Sequence, residues 1–453
     1  MNQSGTKNMT EGNPLPLIVS FALPLMVGNI FQQMYTVVDT MVVGKTLQVS
    51  ALAALGAADW LNWLVLGVVC GLAQGFGIPI AQQFGARQYE ALKKAVGCSA
   101  VLSLISAVVL LIVGQLLILP VLRLLNTPEE ILPGSALYLR IMFGGIPVVL
   151  FYNLLAAILR SLGDSKTPLS AMIVASITNI VLDLLFVPVF GWGIAGAAIA
   201  TVIAQGVSGL YCLQQLRRVS ILKMEPSHFR LNWTLARQLL GLGLPVAAQN
   251  GIIAVGGMLI QSVVNGFGVV FIAGYTAANK MYGILEMAAV SFGSAMMTYV
   301  GQNLGAGKLD RIRRGVRVST VVCIGISCVI CAAMLLLGRF ILSGFISGSP
   351  DTAAQALDIA YEYLAVMSLC LPILYILYVV RAAILGVGNT MLSLVSGFAE
   401  LGMRTAGVLL LPAVLGYSGI FYAEVSAWLG ADLILIPGYF LLMRRLYHGY
   451  PNR

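Results

Sequence analysis

The amino-acid sequence predicts an all-α integral membrane protein with twelve transmembrane helices, arranged as two six-helix lobes related by pseudo-two-fold symmetry. Composition is the first observation behind this prediction, since 59% of the 453 residues are hydrophobic and only 9% are charged. A water-soluble domain carries roughly 25% charged residues, so this chain has too little polar surface to cover itself in water. The second observation is a series of long apolar segments, and the third is an internal repeat.

Twelve apolar segments are each long enough to cross the hydrocarbon core of a bilayer, which needs about 20 helical residues. They lie near residues 16–43, 51–80, 95–120, 134–159, 168–188, 192–216, 236–264, 271–300, 315–338, 355–385, 390–412 and 417–443. The longest polar connection lies in the middle of the chain. We therefore expect a first lobe at 1–216, a cytoplasmic linker at 217–235 and a second lobe at 236–453.

The basic residues predict how the chain is oriented in the membrane. With the N-terminus in the cytoplasm, most of the 26 lysine and arginine residues fall on the cytoplasmic side, including Arg381 and the group Lys308–Arg317. This bias predicts a multi-pass protein of the cell (inner or plasma) membrane with both termini cytoplasmic. It also accounts for the net charge of +9 without a nucleic-acid partner.

Three sequence matches, in the same order in both halves, indicate that a six-helix unit is duplicated. The matching pairs are Leu23-Pro24 with Leu244-Pro245, Ile80–Ala86 with Val300–Ala306, and Ala156–Leu159 with Ala382–Leu385. Copies that contain an even number of helices share one orientation, so they are parallel repeats. Two such lobes are a scaffold typical of transporters that work by alternating access.

Residue types typical of enzyme active sites are scarce. The chain has two histidines, His228 in the central linker and His448 near the C-terminus, and no cluster with metal-ligand spacing. A membrane enzyme would need such a cluster at a helix end or in a loop. We therefore expect a transporter and not an enzyme, with no cofactor and no metal other than a coupling Na⁺.

Polar side chains inside the apolar segments are the candidate functional residues, because an acid at the centre of a membrane helix costs about 2.5–3.5 kcal/mol. The seven acids in the segments are Asp39, Asp59, Asp183, Glu286, Glu400, Glu424 and Asp432. Polar pairs spaced one helical turn apart are Tyr35 with Asp39, Asn179 with Asp183, and Thr201 with Gln205. Oxygen ligands of this kind suit Na⁺, and buried carboxylates equally suit a proton relay, so both ions stay open.

An ordered set of motifs resembles the multidrug and toxic compound extrusion (MATE) family over nearly the whole chain. The motifs are Pro24-Leu-Met-Val-Gly, Gln33-Met-Tyr35, Asp39, Gln83-Phe-Gly-Ala86, Arg160-Ser-Leu-Gly-Asp164, Asn179 with Asp183, Gly196-Ala-Ala with Thr201, and Val300–Ala306. The resemblance implies export of cationic, amphipathic drugs in exchange for Na⁺ or H⁺.

One branch of this family has a cation site in its N-terminal lobe, built from an Asp of the first helix, an Asn and an Asp of the fifth, and a Thr of the sixth. The resemblance therefore implies a cation site at Asp39, Asn179, Asp183 and Thr201, with Tyr35 nearby. The other bacterial branch has acids on its seventh and tenth helices. This chain has no acid on its seventh segment, and its tenth has tyrosines and an arginine at the expected place.

Weaker substrate or gating roles are assigned to five further residues. These residues are Gln32, Gln205, Glu286, Glu400 and Arg404. The alternatives are an internal ion pair between Glu400 and Arg404, which lie one turn apart, and a packing role for Glu286. The three remaining acids are interpreted mainly as structural residues.

The sequence thus predicts a secondary active multidrug efflux transporter that exchanges cationic drugs for Na⁺ or H⁺ by alternating access. The expected partners are small cationic drugs and the lipid bilayer, and we expect a monomer. The alternative is a lipid or polysaccharide-precursor flippase on a related scaffold, which would need cationic grooves at the membrane midplane. Only Lys280 and Arg404 oppose the seven intramembrane acids, which favours cationic cargo.

Overall fold

A computed structural model describes residues 6–47, 49–125, 127–346 and 350–449, and within these ranges it contains α-helices, short 3₁₀ turns and no β-strand. The helices are α1 (Pro14–Thr46), α2 (Val49–Gly85), α3 (Tyr89–Leu124), α4 (Leu132–Gly144), α5 (Ile146–Ser161), α6 (Lys166–Phe186), α7 (Gly193–Arg217), α8 (Trp233–Val264), α9 (Val269–Gly305), α10 (Leu309–Ser343), α11 (Pro350–Val387), α12 (Thr390–Leu415) and α13 (Gly419–Gly449).

These helices account for the twelve predicted membrane spans. Ten helical stretches of the described residues are long and apolar enough to cross a membrane, and the bent pair α4 and α5 forms an eleventh span. The last of the ten stretches, Thr390–His448, contains two helices, α12 and α13, joined by the turn Gly416–Ser418. Each of these two helices is long enough to span about 30 Å by itself, which gives twelve spans.

The fourth span differs from the prediction because it is broken. Helices α4 and α5 are bent by 48° where they meet at Gly145. Two glycines precede Pro147 here, so weak helix formers stand next to a residue that lacks a backbone N–H. In the corresponding span of the second half, α11 continues through Pro372, which is preceded by Cys370 and Leu371 instead of glycine. The glycines therefore explain why only the first copy breaks.

The turns that follow matching helices repeat the same local geometry, which supports the duplication. Gly163 after α5 and Gly388 after α11 both have positive φ, of 82° and 96°. The next residue in each copy then caps the following helix. The Asp164 carboxylate accepts hydrogen bonds from the Lys166 and Thr167 backbone N–H groups, and the Asn389 side chain accepts one from the Leu392 N–H. The Asp164 side chain thus caps the first turn of α6.

The described chain divides into two compact units. The first comprises Met1–Glu11, Leu23–Gly251 and Gly301–Gly307, and the second comprises Gly12–Ala22, Ile252–Val300 and Lys308–Arg453. Helix α1 contributes residues to both units, as do α8 and α9.

In the first unit, α2 approaches α8 closely. Gly71 faces Ala247 and Gly75 faces Gly243, and a Cβ at either α2 glycine would overlap backbone atoms of α8. Small residues allow this close helix packing in a membrane.

The repeat motif Val300–Ala306 has a structural role in the first unit through two buried amides. The Gln302 side chain accepts a hydrogen bond from the Met9 N–H at 2.8 Å and donates one to the Ser161 carbonyl at 2.9 Å. The Asn303 side chain donates to the Met9 carbonyl at 3.2 Å. The N-terminal segment is therefore fixed to the end of α5 through the end of α9.

Candidate functional site

The polar residues predicted from α1, α6 and α7 lie in the first unit. Asp39 on α1 is buried, and Asn179 and Asp183 on α6 have no exposed surface. The Asn179 amide nitrogen is 3.4 Å from the Thr201 hydroxyl on α7, and that hydroxyl donates to the Ala197 carbonyl at 3.1 Å. Because the amide nitrogen is directed at α7, the side-chain oxygen of Asn179 is left for another partner.

Several buried oxygens of this group have no hydrogen-bond partner among the described residues. They are one carboxylate oxygen of Asp39, both carboxylate oxygens of Asp183, and the side-chain oxygens of Asn179 and Gln205. A buried polar atom that stays unpaired costs about 1–3 kcal/mol, and a charged one costs more. An arrangement of acceptors without donors is therefore chemically suited to a bound cation or to protons.

Tyr35 on α1 lies between the acids of α1 and α6 and the polar face of α7. Its hydroxyl lies beside the side chains of Gln32 and Gln205, and it interacts electrostatically with Asp39 and Asp183. The two carboxylates also interact with each other. The structure therefore brings together the cation-site residues on α1 and α6, and it places the weaker candidates Gln32 and Gln205 beside them.

Two residues near this group were missed as site residues from the sequence. Asp59 on α2 interacts electrostatically with Asp39 and is exposed, although we interpreted it as structural. Tyr138 on α4 is buried and interacts with both Asp39 and Asp183. The intramembrane charge of Asp59 was a usable signal, whereas an apolar segment gives no reason to single out one tyrosine. The described residues contain no group of three or more His, Cys, Asp or Glu side chains arranged to hold a metal ion.

The second unit contains two buried ion pairs between helices, and these correct the sequence prediction. Arg381 on α11 pairs with Glu400 on α12 at 2.7 Å. Arg404 on α12 pairs with Glu424 on α13 through two hydrogen bonds of 3.0 and 2.8 Å. Glu400 and Arg404, for which an internal ion pair was the alternative interpretation, are thus each paired with a residue of another helix. A pair one turn apart on a helix gains only about 0.2–0.5 kcal/mol, whereas a bidentate guanidinium–carboxylate pair is much stronger.

Arg381, which the sequence places on the cytoplasmic side, is 7% exposed, and its guanidinium is buried in the second unit. Arg404 fits beside α8 because residue 256 is glycine, and a Cβ there would overlap its guanidinium group. One nitrogen of each arginine, Nε of Arg381 and Nη1 of Arg404, has no hydrogen-bond partner among the described residues.

Two further acids lie in the second unit near these pairs. Glu286 on α9 accepts a hydrogen bond from the Tyr378 hydroxyl at 2.7 Å. Asp432 on α13 is buried, interacts electrostatically with Arg381, and has one carboxylate oxygen without a partner in the described part of the chain. Because each arginine is already paired with a glutamate, these two acids give the unit's interior an excess of acidic groups. Aromatic rings lie close by, with Tyr282 stacked on Trp428 at a centroid distance of 6.0 Å.

The amino-acid sequence of this chain is similar to those of known proteins. The family model described as MatE matches residues 24–185 and 245–407. The "Probable multidrug resistance protein YpnP" of Bacillus subtilis (strain 168) is 31% identical over 423 residues, which cover 93% of this chain and 91% of that protein. An "FAD transporter" of Shewanella oneidensis is 25% identical over 313 residues, covering 67% and 68% of the two chains.

A solved structure has the same fold. It belongs to a MOP superfamily transporter from Pyrococcus furiosus, whose binding pocket is described as having reverse polarity. The two chains are 22% identical, the TM-score is 0.90, and the match covers 97% of this chain and 98% of the other. The matched family segments follow the two halves of the internal repeat, and the relative from Bacillus spans almost the full length. This chain therefore belongs to the MATE family, whose members are membrane transporters and not enzymes.

Proposed function

We propose that this protein is a secondary active multidrug efflux transporter that exchanges cationic, amphipathic drugs for Na⁺ or H⁺ by alternating access. The observation that carries the proposal is the group of buried, unpartnered oxygens on Asp39, Asn179 and Asp183. A transporter needs a site whose charge changes during the cycle, and carboxylates that lack protein donors supply one. The similarity to a probable multidrug resistance protein supports the choice of drugs as cargo.

The proposed cation site consists of Asp39, Asn179, Asp183 and Thr201, with Tyr35 beside it. Carboxylate, amide and hydroxyl oxygens can replace the water around Na⁺, and the two interacting carboxylates can instead share protons. Uptake of either ion lowers the negative charge of the site. A ligand can shift a conformational equilibrium only through different affinities for the two states, so the ion must bind the outward state and the drug the inward state more tightly.

The charges of the second unit support a cationic cargo. Its buried arginines are both paired with glutamates, and Glu286 and Asp432 add acidic groups near aromatic rings. Aromatic rings and acids together attract organic cations. We assign Glu286 a substrate role on this basis, while Glu400 and Arg404 act through ion pairs that hold α11, α12 and α13 together.

The membrane arrangement completes the proposal. We propose a monomer in the cell membrane with both termini cytoplasmic, a first lobe at 1–216, a linker at 217–235 and a second lobe at 236–453. The excess of basic residues in the predicted cytoplasmic loops supports this orientation.

The second candidate is a carrier or flippase of anionic cargo, which the similarity to an FAD transporter favours. Such a protein would need cationic side chains that are available to a phosphate. Arg381 and Arg404 could serve only if the cargo displaced Glu400 and Glu424 from them. Removing those glutamates should then improve transport of an anion, whereas it should not help a cation exporter.

The test is accumulation of a fluorescent organic cation, and of an anionic dye as comparison, in bacteria that lack their own drug pumps. We expect the wild-type chain to lower accumulation of the cation but not of the anion. Asp39→Asn and Asp183→Asn should lose this effect at equal membrane levels. Glu129→Gln, which removes an exposed loop carboxylate, is the control and should behave as wild type. Selective export of the anion would favour the second candidate and contradict the first.

A further inference from the structure

The first unit contains an apolar crevice that the proposed transport mechanism does not use. It has a volume of about 530 Å³ and lies between α3, α5 and α7, with the central linker along one side. Its walls include Ala100, Leu154 and Leu213, and the linker contributes Met224 and Phe229. Small-molecule sites in proteins commonly measure about 300–1,000 Å³, so the crevice is large enough for a ligand.

Two cationic side chains lie at one end of this crevice. Arg217 is the last residue of α7, and Lys223 follows it in the linker. They are the charged residues among the described residues that line the crevice, both are exposed, and neither forms an ion pair in the described part of the chain. The occupant should therefore combine a long apolar part with an anionic end. The same charges exclude the cationic drugs of the proposed function.

The dimensions of the crevice match one leaflet of a bilayer. Its wall on α3 runs from Val96 to Leu104, a length of about 12 Å at 1.5 Å per residue. Half of a hydrocarbon core is about 15 Å thick. Leu104 is 65% exposed, so the crevice is open on the side where acyl chains would surround the protein. In the proposed orientation this is the cytoplasmic leaflet, where anionic lipids attract basic residues near the membrane surface.

The linker wall is held in place by its own contacts, so the crevice is already formed. The buried His228 ring accepts a hydrogen bond from the Glu225 N–H at 2.9 Å and lies 3.3 Å from the Glu90 carboxylate on α3. The His228 backbone carbonyl packs against Gly97, where a Cβ would overlap it. A molecule bound here would contact both the first lobe and the segment that joins it to the second.

We propose that this crevice binds an anionic phospholipid, with one acyl chain between α3, α5 and α7 and its phosphate between Arg217 and Lys223. The proposal goes beyond the proposed function. The crevice and its charges come from the geometry of the first unit, and only the choice of the cytoplasmic leaflet rests on the proposed orientation. Binding in detergent needs no transport, so failure of one proposal is distinguishable from failure of the other.

The experiment is native mass spectrometry of the full chain in detergent, titrated with phosphatidylglycerol or with phosphatidylcholine of identical acyl chains. Wild type should bind phosphatidylglycerol at least tenfold more tightly. The double variant Arg217→Gln/Lys223→Gln should lose about 30-fold in affinity for phosphatidylglycerol and little for phosphatidylcholine. The matched control, Lys94→Gln/Arg230→Gln, removes two exposed charges that do not line the crevice and should keep the preference.

A second pair of variants tests the apolar part separately. Ala100→Phe and Ser103→Phe each place a ring in the crevice and should weaken binding of both lipids at least tenfold, provided that the variants remain monodisperse. If one of them does not fold, the charge variants alone decide. Equal binding of the two lipids by wild type would overturn the proposal. A phosphatidylglycerol preference that survives in Arg217→Gln/Lys223→Gln, or competition by free glycerol phosphate at the same concentration, would also overturn it.

Discussion

Two buried acids of the first unit have oxygens that lack partners in the described part of the chain, whereas two buried arginines of the second unit form ion pairs. In the first unit, Asp39 and Asp183 have carboxylate oxygens without protein donors among the described residues, and the Asn179 amide nitrogen is directed at the Thr201 hydroxyl. In the second unit, Arg381 and Arg404 are held by glutamates of neighbouring helices. Unpaired groups favour exchange with an ion, because the ion supplies what the protein lacks. Paired groups stay in place and serve packing.

The ion pair between Arg381 and Glu400 should show the behaviour of a buried charge pair in a double-mutant cycle. Removing one partner, as Arg381→Leu or Glu400→Leu, leaves the other charge buried and should cost about 3–5 kcal/mol of stability. The double variant should recover much of that loss, because it buries no charge. Unfolding of the purified protein in detergent measures all three.

The exposed pair formed by Arg339 and Asp358 provides the control for this cycle. Both side chains are more than half exposed, so breaking the pair should cost about 0–1 kcal/mol. If the single changes at Arg381 and Glu400 were as mild as those at Arg339 and Asp358, the buried pair would not be structural as described.

At the scale of helices and turns, the two copies of the duplicated unit share the geometry of two turns. In one of these turns they differ in the residue that adopts positive φ. The turns after α5 and α11 both use glycine at positive φ, and the turns after α2 and α9 also match. After α9 the residue with positive φ is Gly307, at 70°, whereas after α2 it is Arg87, at 58°. A side chain at such φ costs roughly 1–2 kcal/mol, so the first copy has a strained turn that the second avoids.

Arg87→Gly should therefore be more stable than Arg87→Ala by about 1 kcal/mol, because both lose the exposed ion pair with Glu11 but only alanine keeps the strain. Gly307→Ala should lose a similar amount relative to wild type. Thermal unfolding of the three variants under one set of conditions gives the comparison. Equal stability of the alanine and glycine variants at position 87 would contradict backbone strain at Arg87.

The spans and their order could be predicted from the sequence because apolar length is a local property. The residues of the first unit's polar group were also predictable, since Tyr35, Asp39, Asn179 and Asp183 are spaced by helical turns. The break at Gly145 was missed because a straight helix and a bent helix have the same apolar sequence pattern. The partners of Arg381 and Arg404 were missed because an ion pair between helices depends on packing, and spacing along one helix favoured the wrong partner.

At the scale of the whole molecule, orientation in the membrane determines which ion gradient can act on the site. Cysteines introduced at two exposed positions test it, as Ser227→Cys in the linker and Glu129→Cys between α3 and α4. We expect a membrane-impermeant maleimide to label Glu129→Cys in intact cells and Ser227→Cys only after the cells are opened. The wild-type chain, with its seven native cysteines, gives the background. The opposite labelling pattern would reverse the proposed topology.

Cation coupling through the first unit is the central claim, and drug efflux from reconstituted vesicles with Na⁺ and proton gradients imposed separately tests it most directly. We predict that one gradient drives efflux by wild type and by the control Glu129→Gln. Asp39→Asn and Asp183→Asn should each lower the gradient-driven rate at least tenfold. They should still bind the drug, because the second unit is unchanged. Gradient-driven efflux at the wild-type rate by both variants would contradict the claim.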